Sequence, residues 1–193
     1  NISLTGDVVY DLNGYGLPLG GADTETITIN GNGNTVYFNH LNTECSSVMC
    51  NGVKLTIKNA VVDINEERSS ATVWNSNDVV FNNGDFTFEN VEFKKSVAIN
   101  GTASFKNCSI SDKSAVSDTY VLWIQAGSKV SLDNCVIDGK SNTSGKNNRA
   151  IAIKDQYVDD PGMTVLTVNN TVISSDRYAA VLVTSAGGAN ISM

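Results

Sequence analysis

Chemistry that uses a hard cation or a general acid needs carboxylates close together, and one candidate set is Asp155, Asp159 and Asp160 in KDQYVDDPG. Their oxygens are the ligand type that Ca²⁺ requires. Neighbouring aspartates do not complete such a site without further oxygens, and neither an EF-hand loop nor a glycine-rich nonapeptide repeat supplies them, so a polar turn ahead of Pro161 is the plainer expectation. An inverting glycoside hydrolase needs carboxyl groups about 6.5–9.5 Å apart, and Asp159-Asp160 is the one adjacent aspartate pair. No catalytic residue is assigned on that basis. Trp74, Trp123, Tyr157 and Tyr178 are suited to stack on a sugar. Of these, Trp123, Tyr157 and Tyr178 join Arg149 and Arg177 as candidate ligand contacts. His40 is the only histidine and no Cys/His cluster has zinc spacing. The residues therefore imply no resident cofactor, with Ca²⁺ the one ion they suggest.

Thirteen Lys and Arg against twenty Asp and Glu leave a net charge of −7. The basic residues form no run, so little is available to neutralise phosphates, and nucleic acid is not an expected partner. No apolar run of about 18 residues exists for direct membrane insertion. The opening Asn1-Ile2-Ser3 is neither a start-codon product nor a signal peptide and reads as a mature or excised segment. Asn-x-Ser/Thr tripeptides begin at Asn1, Asn100, Asn107, Asn142, Asn169 and Asn190, most of them accidents of an Asn-, Ser- and Thr-rich composition.

The elements that must hold these side chains are legible as a repeat. One pattern, apolar-x-apolar-x-Asn-(small or apolar)-x-apolar, occurs at Leu55 to Val62, Phe86 to Phe93, Ala103 to Ile110, Val130 to Ile137 and Leu166 to Ile173, with a weaker copy opening at Ile27. Alternation means strand, with successive side chains on opposite faces. The Asn shifts the phase by one residue, so apolar side chains face the same interior before and after it. Asn59, Asn90, Asn107, Asn134 and Asn170 are therefore structural corners, a residue type that tolerates left-handed backbone, and stacked copies can join through their amides. Each copy follows another short apolar strand and a Gly turn, as in SVMCNG, VAING and VLWIQAG. Corner intervals of 31, 17, 27 and 36 residues mean constant strands with loops of varying length. The predicted fold is all-β: a right-handed parallel β-helix of roughly six to seven coils, three short strands per coil, in one domain over residues 1–193. Two interior columns follow, Ile57, Phe88, Phe105, Leu132, Val168 and Val62, Phe93, Ile110, Ile137, Ile173.

Cys108 and Cys135 each follow a corner Asn and point inward. Parallel neighbours have a poor disulfide geometry, so they are expected as free thiols in an interior ladder. Cys45 and Cys50 in TECSSVMC are either a small disulfide ring or buried thiols. The variable loops, His40 to Ser47, Ile64 to Ser70, Ser111 to Tyr120, Asp138 to Arg149 and Ser174 to Tyr178, should project on one side. Stacking would gather Glu66, Glu67, Arg68, Asp138, Arg149, Asp176 and Arg177 on that flank. With Leu122 and Ile124 inward, Trp123 should face outward.

With these repeats and the opening VVYDLNGYG at Val8 to Gly16, the whole chain resembles the pectin-lyase-like right-handed parallel β-helix superfamily, especially Asn-rich bacterial extracellular proteins. That resemblance implies an extracellular or cell-surface protein that is an adhesin or a ligand-presenting stalk for glycan or protein. Its alternative is a carbohydrate-active enzyme or a fragment of one, using Asp138, Asp159, Asp160 or Asp176. The polygalacturonase pattern of an NTD-type motif, a downstream Gly-His and Arg-x-Lys is absent, as is the lyases' Pro-Arg-x-x-Arg. A noncatalytic role is therefore expected.

Overall fold

The computed structural model describes residues 1–11, 17–20, 26–39, 46–51, 54–63, 79–112, 120–140, 149–154, 162–175 and 180–193. Every strand pairing in it is parallel, and the pairings sort into three ladders. The first joins Ile2–Ser3, Thr26–Asn30 and the pre-corner residues of Lys54–Asp63, Val79–Phe93 and Val97–Lys106, then Lys129–Asp133, Thr164–Asn169 and Ala189–Ser192. The second follows the corner, through Val8–Asp11, Thr35–Asn39, the ends of Lys54–Asp63 and Val79–Phe93, Ser109–Ser111, Val136–Gly139 and Val172–Ser175. The third runs through Leu17–Gly20, Ser46–Asn51, the starts of Val79–Phe93 and Val97–Lys106, Tyr120–Gln125, Arg149–Lys154 and Val181–Thr184. Strands that pair only with their counterparts one coil away make a parallel β-helix.

All five predicted corner asparagines are left-handed, with φ from 46° at Asn170 to 55° at Asn90 and Asn134. Asparagine tolerates this backbone better than any other residue except glycine. The amides form a continuous external ladder, each Nδ2 donating to the Oδ1 of the coil before: Asn59 to Asn30 at 3.1 Å, Asn90 to Asn59 at 2.9 Å, Asn107 to Asn90 at 3.1 Å, Asn134 to Asn107 at 2.6 Å. In the first of these coils the two roles separate. Asn30 occupies the ladder while Asn32 takes the positive φ of 51°. A further left-handed asparagine, Asn83, is an extra residue between Asn82↔Asn100 and Gly84↔Gly101, a bulge at the other corner. Gly101 there has φ 136°, and a Cβ on it would lie 2.4 Å from the Gly84 carbonyl oxygen, so no side chain fits.

Both predicted interior columns are in register. Ile57, Phe88, Phe105, Val62, Phe93, Ile110 and Ile137 have no more than 1% exposure, while Val168 and Ile173 in the last coil are partly buried. Val79–Phe93 traces almost a full coil without a loop and supplies Phe81, Phe86, Phe88 and Phe93 from all three sides. Their rings meet edge-on, Phe81 on Phe88 at 4.8 Å and Phe88 on Phe93 at 5.2 Å, and Phe88 tilts onto Phe105 at 4.7 Å.

The corner can be tested by separating its two demands. Asn107→Gly keeps the left-handed backbone and loses only the amide, whereas Asn107→Ala loses both, so denaturant unfolding should show the alanine variant less stable than the glycine variant by about 1 kcal/mol.

Candidate functional site

The third ladder differs electrostatically from the other two. Its strands LPLG, SSVMCN, VVFN, VAIN, YVLWIQ, RAIAIK and VLVT contain no Asp or Glu, and their only charged residues are Arg149 and Lys154. Register places Arg149 beside Tyr120 and Lys154 beside Gln125, with Trp123 stacked between Ala98 and Ala152. The two alanines leave room for the indole, and strand alternation keeps Leu122 and Ile124 in the core.

Trp123 does leave the interior, as its spacing requires, but it is not an open stacking platform. It retains 7% exposure. The Tyr120 ring lies edge-on at 6.1 Å, and the Lys154 ammonium sits over both rings, 5.3 Å from the Trp123 centroid and 5.0 Å from that of Tyr120. The Arg149 guanidinium covers Tyr120 at 5.2 Å and donates from Nη1 to its hydroxyl at 2.6 Å. The Tyr120 ring is thus contacted by both of the chain's own cations and the Trp123 ring by one, an attraction worth about 0.5–2 kcal/mol per contact. What the cluster presents is two positioned positive groups rather than a bare ring. The indole Nε1 is buried without a hydrogen-bond partner, a cost the packing must offset.

Of the predicted contacts, the structure therefore places Trp123 and Arg149 in one cluster, joined through Tyr120. Tyr157, Arg177, Tyr178, Asp155, Asp159 and Asp160 lie outside the described residues, as do His40, Cys45, Glu66, Glu67, Arg68, Trp74 and Asp176. The Cys45–Cys50 question falls there too. Asp138 accepts from the Lys140 N–H at 3.1 Å and the Ser174 hydroxyl at 2.9 Å, bonds that pin neighbouring backbone. Sequence reasoning passed over Tyr120 and Lys154, although aligning YVLWIQ on RAIAIK sets them in the same two rungs. Among the described residues no three His, Cys, Asp or Glu side chains come close enough to hold a metal, and no helix is long and apolar enough to cross a membrane.

Cys108 and Cys135 are free and buried, as predicted. Each thiol donates to carbonyl oxygens of its own and the preceding coil, Cys108 to Phe88 at 3.4 Å and Lys106 at 3.3 Å, Cys135 to Phe105 at 3.5 Å and Asp133 at 3.3 Å. Its hydrogen bond with Cys135, and then burial, push the Cys108 thiol far above its ordinary 9.0. For Cys108 a raised folded-state value means that its contribution is intact below pH 9 and lost as the unfolded chain ionises above it. Cys135, lowered to about 7 by the same hydrogen bond, gains stability between about pH 7 and pH 9, so a net fall is left only above pH 9. Cys108→Val fills the column without a titrating group. The fall in unfolding midpoint between pH 9 and pH 11 should be smaller in that variant than in the parent chain; equal falls would remove Cys108 as the cause.

No known protein family, curated protein or solved structure matches this chain.

Proposed function

We propose that this chain is a noncatalytic β-helix of the pectin-lyase-like kind, an extracellular or cell-surface adhesin or ligand-presenting stalk of a bacterium. It would bind glycan or protein through the flank formed by the third ladder and its loops. The observation that carries this reading is the pairing of Arg149 and Lys154 on an acid-free sheet of a chain whose net charge is −7. Cations fixed by Tyr120 and Trp123 have little freedom left to lose, so an oxyanion bound beside them meets a prearranged site. Ligands carrying carboxylate or sulfate groups suit it best. The Asn82–Asn100 amide pair, joined at 2.7 Å, and Gln125 lie in the Lys154 column and add donors and acceptors for hydroxyl groups.

A glycan array paired with reducing-end and unsaturated-product assays, with and without Ca²⁺, separates the alternatives. Saturable binding to acidic glycans without turnover is the expected result. Lys154→Ala or Arg149→Ala should weaken it about tenfold or more, the worth of one charged hydrogen bond. Turnover abolished by Asp159→Ala or Asp160→Ala would instead identify a carbohydrate-active enzyme.

A further inference from the structure

The first ladder carries an open face whose charge order is its own complement. Just before the asparagine corner, register stacks Asn30, Lys58, Glu89, Lys106, Asp133 and Asn169 on successive coils. The charges run neutral, plus, minus, plus, minus, neutral. Reversed, each plus meets a minus and each amide meets an amide. We infer that this face is the interface of a two-fold dimer, with a second copy of the chain laid against it in reversed coil order.

The axis would lie in the face, parallel to the strands, between the Glu89 and Lys106 rungs. Lys58 then meets the partner's Asp133, and Glu89 meets the partner's Lys106, each pair occurring twice. The middle column, Thr28, Thr56, Thr87, Ser104, Ser131 and Thr167, sets hydroxyl against hydroxyl throughout. Lys54 against the partner's Lys129 is the single like-charge meeting, and both side chains are exposed, where solvent screens them. The competing two-fold, along the coil axis, is disfavoured by the same columns, with Asp133 over the partner's Lys129 its one opposite-charge meeting. It would set Lys58 over the partner's Lys54 and Glu89 over the partner's Asp85. Among the described residues nothing covers this face as Trp123's face is covered, since its outward residues are all partly exposed or exposed. Six rungs about 4.8 Å apart on five-residue strands offer roughly 500 Å² per copy, at the lower end of what a specific dimer buries. The dimer should therefore be weak.

Sedimentation analysis of the chain with charge exchanges tests this. The parent chain should dimerise in about the micromolar range, and Lys106→Glu, which sets carboxylate against the partner's Glu89 twice, should raise Kd about tenfold or more. Glu89→Lys combined with Lys106→Glu breaks the alternation along the column within one chain but keeps every cross-dimer pair opposite. Its dimerisation should return close to that of the parent. Lys94→Glu, an equal charge change off the face, should leave Kd unmoved. A parent chain that stays monomeric at about 200 µM, or a double variant as weak as the single, would overturn the proposal.

Discussion

Everything in this molecule depends on a bend that does not turn the chain inside out. A strand has a side-chain period of two, so any corner that inserts one residue in extended backbone would send the next apolar side chain to solvent. The left-handed asparagine changes phase and direction together. At Asn59, Asn90 and Asn107 its amide then donates to the equivalent amide of the coil before and accepts from that of the coil after. The strained backbone costs about 1 kcal/mol or less for asparagine, and a side-chain hydrogen bond returns a similar amount. The corner is therefore nearly neutral alone and favourable only in a stack. This is the one-dimensional cooperativity of a solenoid, in which each coil is stabilised by its neighbours rather than by its own closure.

That constraint is why so much of the fold was legible. Five corners and two interior columns follow from one interrupted alternation, because the bend forces the same residue classes onto the same rungs whatever the loop length. What escaped is equally specific. Asn32 was hidden because the ladder amide and the left-handed backbone fall on different residues, Asn30 and Asn32 with Gly31 between them, so ITING did not match the full pattern. Asn83 belongs to a bulge that only the mutual approach of Gly84 and Gly101 defines, and that approach joins different coils. Strands were also expected to stop at every corner. At Asn59 and Asn90 the hydrogen bonding instead runs on through the bend.

The candidate site shows the same limit from the other side. Alternation within YVLWIQ gives the direction of Trp123, and the direction is right. Its burial depends on Lys154, about one coil later, and on alanines directly above and below. A hydrophobic pattern along one strand carries no information about which long polar side chain lies across it from the next. Cation–aromatic contacts of this kind are set by register, and register becomes readable only once the coils are aligned.

Alignment of coils also dictates how a β-helix displays chemistry. Any outward position recurs about every 4.8 Å along the axis, so its surfaces are columns and a change of residue type along a column is a change of charge along a line. In the first ladder that line alternates in sign, while in the third it holds only positive charge. The interior cannot account for the difference, since both sheets bury the same apolar classes at the same depth. The outer faces vary while the interior stays constant, so it is on these faces and their loops that recognition is written.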